Sequence, residues 1–323
     1  MSTHERGVRL CFHLTFKISN QKLIAIRFFD SYVYLMFISS SQLDAFFAVA
    51  QALHFSKAAE KLHITQSALS QRILALEKEL GLTLFIRERS GVQLTEGAYR
   101  LLQYCQSRNA LEEELLSEFE TSAGSSFAGT IRLAGFSSVT RSVILPSLAV
   151  FMRENPRLRL EILTRETSEL PGLLRRGEVD YIIVDQDLKR DGFDGFLLGH
   201  EENVLVRSKS FSNNEVFLDH DANDETTKNY LRLSDKDFSK VKRRYLDDVY
   251  GLVDGVRLGW GQAVLALHIL RDFPDVEIVN PRTVLKTPVY LHFHSQPYFT
   301  KLHMAVVSEL KKNSTALLKQ SRT

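Results

Sequence analysis

The sequence predicts an α/β protein with an N-terminal winged helix-turn-helix, a long linker helix and a two-lobed α/β region. Three observations carry that expectation. Residues 55–80, FSKAAEKLHITQSALSQRILALEKEL, read as two short helices around a tight turn. Residues 95–121 keep an apolar stripe at helical spacing. From Thr130 onward, strand and helix patterns alternate, which implies a parallel sheet with right-handed crossovers.

The first helix of the pair follows Ser56, a residue able to cap it, with Glu60 close behind. His63-Ile64 forms the turn. Thr65 caps the second helix, which begins at Gln66 and stops at Gly81. Ala68, Leu69, Ile73, Leu76 and Leu80 recur at helical spacing and face inward. Gln66, Ser67, Ser70, Gln71 and Arg72 fall elsewhere, near the N-terminus of that helix. Gln can pair with adenine, Ser with several base edges or a phosphate, and Arg with guanine or phosphate, and Ser56 and Thr65 join these residues as DNA-binding candidates. Taken alone, the pattern also fits an amphipathic helix pair in a core, because such motifs have many chance matches.

The flanks decide between the two. An apolar helix over residues 43–50 supports the pair from behind. Residues 82–95 read as a strand, a turn at Ser90-Gly91 and a second strand, with Arg87 and Arg89 exposed. Such a wing would lie along phosphates or in a minor groove. In this order, residues 45–98 resemble the LysR-type transcriptional regulators. The shared features are the S-x-A-A-x-x-L helix, the T-Q-S-A-L-S start, the L-E-x-E-L-G exit, the L-F-x-R wing and the closing L-T-E-x-G. Residues 64–73 and 174–179, with the Asp219-His220 pair, also resemble the arginine/lysine-responsive branch, that of the chromosome replication initiation inhibitor.

The resemblance implies a division into residues 39–98 for DNA binding, 95–122 for a linker helix that pairs with its copy, and 127–313 for an effector domain like a periplasmic solute-binding protein. It implies double-stranded DNA, a small-molecule effector, a second copy in a homodimer or homotetramer, and RNA polymerase as partners. It implies a cytoplasmic, non-enzymatic protein with no cofactor and no membrane contact.

Composition agrees with a soluble globular chain. Of 323 residues, 44% are hydrophobic and 25% charged, and the net charge is only +2. DNA affinity must then come from local placement of Lys and Arg, not from a global field. Cys11 and Cys105 suggest neither a disulfide scaffold nor a zinc cluster. Residues 1–38 form an extension around a family-like start close to Met36; residues 1–35 read as disordered or the product of a mis-assigned start, with a genuine extension that has its own partner as the alternative. Arg27 and Asp30 interrupt an apolar run too short for a membrane span.

Beyond the linker at residues 122–126, strands are expected at residues 130–134, 158–163, 181–184, 203–207, 215–218, 276–279 and 289–293. Helices are expected at 142–154, 169–176, 246–256 and 301–311. Residues 219–245 show only charge and weak pattern. In doubly wound sheets, ligands bind at the carboxyl ends of strands. Ser137, Ser138 and Thr140 follow the first strand and open a helix, where hydroxyls and free N–H groups suit an anionic or zwitterionic effector. The resemblance implies the same turn, although Ser138 or Thr140 could equally cap the helix. The arginine/lysine branch tends to carry an acidic residue there. Phe136, Ser137 and Ser138 stand here instead, so Asp185 or Asp219 is left to hold an ammonium group. The G-x-G signature appears as Gly259-Trp260-Gly261, followed by an apolar helix, and adds Gly259 and Trp260 to the effector residues.

His292 and His294 share a strand face, but no further ligands accompany them. No nucleophile motif and no phosphate-cradling loop stand out. Two other functions fit parts of the chain: a DNA-organising protein that needs no effector, and a small-molecule binding protein of the solute-binding fold.

Overall fold

The computed structural model describes residues 14–18, 21–28, 31–35, 38–88, 91–120, 127–189, 192–211 and 215–319. The chain divides into two compact units, Met1–Cys105 and Gln106–Thr323.

In the first unit, β1 (Leu14–Ile18), β2 (Gln21–Phe28) and β3 (Ser31–Leu35) pair antiparallel in that order. Residues 14–18, 21–28 and 31–35 are thus paired strands, where the sequence reading offers disorder or a mis-assigned start. Helix α1 (Ser40–Ala52) opens on a capping box: Ser39 N donates to Gln42 Oε1 at 2.9 Å, and Gln42 N returns to Ser39 Oγ at 3.3 Å. Helix α2 (Phe55–Lys61) starts one residue before Ser56, and its cap is His54, whose Nδ1 accepts from Lys57 N at 3.5 Å. The capping role expected of Ser56 is therefore corrected. Helix α3 (Gln66–Leu80) begins and ends as the sequence predicts. Thr65 Oγ1 accepts from Ala68 N at 3.2 Å, and Gly81 closes it with φ 66°.

Leu69, Ile73 and Leu76 drive α3 into a core shared with Phe46, Phe55, Leu84 and Phe85. Burying side chains of this size contributes about 1.5–3 kcal/mol each. The wing is β4 (Phe85–Glu88) against β5 (Gly91–Leu94), with Glu88 opposite Gly91. Gly91, expected in the turn, is the first residue of β5, and residues 89–90 lie outside the described residues. Glu77 Oε1 accepts from Leu84 N at 2.7 Å and Phe85 N at 3.3 Å, which ties the wing to α3.

Helix α4 (Glu96–Glu120) spans the expected linker. Ala98, Leu102 and Cys105 join the first unit's core. Farther along, Leu111, Leu115, Leu116 and Phe119 stay exposed, Phe119 by 76%. Glu114 accepts from Lys301 N at 3.0 Å.

The second unit is built on one nine-stranded sheet, ordered β11-β10-β12-β9-β14-β8-β6-β7, with β13 added to β9. Its strands are β6 (Gly129–Gly135), β7 (Leu158–Thr164), β8 (Tyr181–Val184), β9 (Phe193–Ser208), β10 (Val216–Asp219), β11 (Lys242–Tyr245), β12 (Gln262–Ala266), β13 (Val276–Ile278) and β14 (Leu285–His294). Parallel β7-β6-β8 form one lobe and parallel β11-β10-β12 the other. The long antiparallel pair β9/β14 runs between them. Helices α6 (Leu145–Glu154) and α10 (Lys301–Lys319) pack on the first lobe, and α8 (Thr226–Arg232) and α9 (Val249–Arg257) on the second. A short helix α7 (Leu170–Arg175) covers β8.

Three expectations change here. The helix expected at 142–154 starts five residues earlier, as α5 (Ser137–Val139), and reaches α6 through a π-helical segment, Thr140–Ile144. Residues 219–245 are not unpatterned: they hold α8 and β11. The apolar run after Gly261 is strand β12, not a helix. Every residue of β12 is buried, as befits a strand covered on both faces. Gly261 permits its close approach, since a Cβ there would stand 2.6 Å from Val216 O.

Candidate functional site

On α3, Gln66 and Ser70 share one flank, while Ser67 and Gln71 lie together on the outer face. Arg72, half-buried, lies two residues or about 200° on from Ser70, on the opposite flank. Gln66 is exposed, and its Oε1 accepts from Ser56 Oγ at 2.8 Å. With the amide oxygen engaged, Nε2 is the end left to donate. Ser56 thus orients the Gln66 side chain. Arg87 lies in β4 opposite Val92; its side chain and the whole of Arg89 lie outside the described residues.

In the second unit the carboxyl ends of six parallel strands each deliver a polar group: Ser138 after β6, Glu166 after β7, Asp185 after β8, His220 after β10, Asp247 after β11 and His268 after β12. Strand order reverses at β6 in one lobe and at β10 in the other, the places where crossover helices part and leave room for a ligand. The two ends meet at an interlobe seam. Ser142 Oγ stands 2.6 Å from His268 Nδ1, Arg271 donates to Ser142 O at 2.8 Å, and the Arg141 guanidinium lies 4.0 Å over the Tyr250 ring.

Glu201, on β9, is the centre of this seam. It is 6% exposed. Its Oε1 accepts from Ser138 Oγ at 3.2 Å and meets His268 Nε2 at 2.7 Å. Its Oε2 makes no hydrogen bond among the described residues. Ser138 is therefore not a helix cap, and α5 has no side-chain cap at all. The Thr140 hydroxyl is buried against Gly135 and has no hydrogen-bond partner among the described residues. Leaving such a group unpaired costs about 1–3 kcal/mol.

Ser142, His268 and Glu201 stand in the order of a hydrolase triad, which the sequence did not suggest. Hydrogen bookkeeping removes that role. Ser142 Oγ lies 2.6 Å from the carbonyl of Ser138, which can only accept. The single hydroxyl hydrogen goes there, so Nδ1 must donate to Ser142. An imidazole already protonated on the serine side cannot activate that serine.

The other expected effector residues separate. Asp185 is exposed at the end of β8, yet surrounding protein and the nearby Glu201 charge push its carboxyl above the ordinary range. Asp219 is committed elsewhere: Thr227 Oγ1 donates to one oxygen and Arg243 Nε to the other. Burial pushes its carboxyl up, and those two donors pull against it. Gly259 and Trp260 follow the C-terminal end of α9, whereas the seam faces its N-terminal end at Asp248. Nine helical residues separate the two by about 13 Å. Gly259 has φ 75° and packs on Phe211, so this signature turns the chain into β12. His292 Nε2 accepts from Leu188 N at 3.3 Å, and His294 Nε2 donates to Leu174 O at 2.5 Å, so neither imidazole faces the seam.

Comparison with known proteins follows the same division. Residues 40–98 match the bacterial regulatory helix-turn-helix proteins of the lysR family, and residues 124–314 match the LysR substrate binding domain. The probable HTH-type transcriptional regulator LrrA of Synechococcus elongatus is 32% identical over 166 residues, 51% of this chain and 56% of its own length. HdfR of Yersinia enterocolitica is 32% identical over 173 residues, 52% of this chain and 57% of its own. The chain thus spans little more than half the length of these relatives. Among solved structures, full-length LysG of Corynebacterium glutamicum with bound effector Arg superposes with TM-score 0.69 at 17% identity, covering 88% of this chain and 100% of that one. ArgP of Mycobacterium tuberculosis gives 0.71 at 19%, covering 88% and 99%. At these identities the likeness is one of fold. No helix among the described residues is long and apolar enough to cross a membrane.

Proposed function

The chain belongs to the LysR family of bacterial transcriptional regulators, and from that premise we propose a cytoplasmic DNA-binding regulator answering to a zwitterionic effector with a cationic group. Gln66, oriented by Ser56, reads a base edge with Ser70. Ser67, Gln71 and Arg72 hold the groove, and Arg87 and Arg89 hold the wing on the backbone. The exposed stripe Leu111, Leu115 and Phe119, repeating every four residues, faces its copy in a homodimer. RNA polymerase contact follows from promoter binding.

The observation that carries the effector class is the buried Glu201 carboxylate against the first turn. The acidic residue absent from Phe136-Ser137-Ser138 arrives from β9 instead. Glu201 Oε2, with Asp185 beside it, offers acceptors for an ammonium or guanidinium group. The free N–H groups at Ser137 and Ser138, with the Thr140 hydroxyl, suit the effector's carboxylate. Binding there would draw the lobes together and alter DNA bending. LysG holds arginine, which makes arginine the first probe. Calorimetry of arginine, lysine, simple carboxylates and neutral amino acids tests the class, repeated with Glu201→Gln and Ser138→Ala. Saturable binding of a cationic amino acid, weakened about tenfold or more by Glu201→Gln, is expected. Binding of carboxylates alone would overturn the class. Operator binding indifferent to every small molecule would favour an effector-independent DNA-organising protein.

A further inference from the structure

We propose that Glu166, His220 and Asp247 bind one divalent transition-metal ion of the zinc class across the interlobe seam. His220 Nε2 stands 3.3 Å from Asp247 Oδ1 and 3.8 Å from Glu166 Oε1. One ligand atom from each residue lies within 4.8 Å of the other two. Ligands about 2.1 Å from a tetrahedral ion sit ~3.4 Å from one another. One edge of that figure is already in place. The His220–Glu166 edge closes by about 0.4 Å and the Glu166–Asp247 edge by at most about 1.4 Å, movements open to carboxylates that are 65% and 91% exposed.

The chemistry at His220 calls for a cation. Its Nε2 offers one lone pair or one N–H, never both. As an acceptor it faces two negative oxygens with nothing to share. As a donor it reaches Asp247 but not Glu166, because 3.8 Å is beyond a hydrogen bond. A third carboxylate, that of Asp221, stands 3.9 Å from Nδ1 and deepens the negative field. A divalent ion among the three ligand atoms satisfies all of them, and its charge balances Glu166 and Asp247. Nitrogen with two carboxylate oxygens, and a fourth position left open, is a donor set zinc accepts.

The backbone holds these residues at three strand ends. Glu166 O accepts from Glu169 N at 2.9 Å, His220 N donates to Asp224 Oδ2 at 3.1 Å, and Leu246 N donates to Asp219 O at 3.0 Å. Glu166 belongs to one lobe, and His220 and Asp247 to the other. A bound ion would therefore tie the lobes at a point separate from Glu201, and the inference does not rest on the effector class.

The test is titration calorimetry of the chelator-stripped full chain with zinc ion alone. Wild type should take one ion per chain. His220→Gln, Asp247→Asn and Glu166→Gln should each weaken binding about tenfold or more. Zinc should raise the melting temperature of wild type and leave that of His220→Gln unmoved. Should His220→Gln fold poorly, Asp247→Asn carries the comparison, since that side chain is 91% exposed. Wild type that takes no ion overturns the proposal, and so do variants that bind as wild type does. A His220 that titrates with pH while the chain takes no zinc also overturns it, for the carboxylates then hold an imidazolium alone.

Discussion

The DNA-reading unit and the lobed unit place their working residues at very different ranges. Ser56 and Gln66 are ten residues apart, on helices whose caps and apolar spacing are local features. Ser138, Glu201 and His268 are separated by 63 and 67 residues, on β9 and at the ends of β6 and β12. A helix face follows from its own 3.6-residue period. A seam follows from which strand lies beside which, and no single segment contains that information. Local encoding should make the first unit tolerant of single polar changes. A shared buried network should make the second fail as a unit.

The largest expected effect lies in that network. His268→Leu removes the partner of a buried Glu201 and should lower stability by about 3–5 kcal/mol in urea unfolding of the second unit. A loss under about 1 kcal/mol would mean that the pair is not coupled, and the contrast between the units would fail. Next comes base reading. Gln66→Ala should cost ~1–3 kcal/mol on the operator and relax sequence preference. Equal losses on operator and random duplex in gel shifts would show that Gln66 touches only backbone.

Acid should act on the second unit selectively. Burial holds the His303 imidazole down at about 4 and also lowers His292 and His294. The fold keeps these rings neutral, while the unfolded chain protonates first as pH falls through about 6.5. Stability is then full above 6.5, is lost between 6.5 and 4, and levels below 4. For His303, discounted for partial solvent contact, the loss is on the order of 2 kcal/mol. Melts that are flat from pH 7 to 4 would contradict that burial. Ser56→Ala should cost about 0.5–1.5 kcal/mol in operator affinity, through a loosened Gln66. Smallest per site, Arg87→Ala and Arg89→Ala should each lower the salt slope of DNA binding by about one. Unchanged slopes would place both side chains away from the phosphates.

The sequence made residues 39–98 of the first unit largely readable, though not the strands that precede them. Thr65, Gly81, the inward Leu69, Ile73 and Leu76, and the wing strands all follow from nearest-neighbour chemistry. Ser56 was read as a cap and a DNA contact, and its bond to Gln66 was not legible because that partner lies on another helix. In the second unit the parallel strands of the first lobe were legible as apolar runs bounded by Gly and Pro. β12 was mistaken for a helix because its four apolar residues carry no period long enough to separate the two. Glu201 and His268 were missed, although a signal was present. That signal concerns His268 alone, which follows an apolar strand where the carboxyl-end rule places ligand contacts, so reading β12 as a strand would have exposed it; Glu201 lies within β9. Gly259-Trp260 was assigned to the effector through a family signature whose glycines here serve strand approach.

The most direct test is DNA bending by the full chain, measured with and without arginine, in wild type and Glu201→Gln. Both proteins should bend operator DNA equally when free of effector. Arginine should change the bend of wild type and leave Glu201→Gln unmoved. A variant that responds as wild type does, or one that has lost operator binding without effector, would contradict an effector seam centred on Glu201.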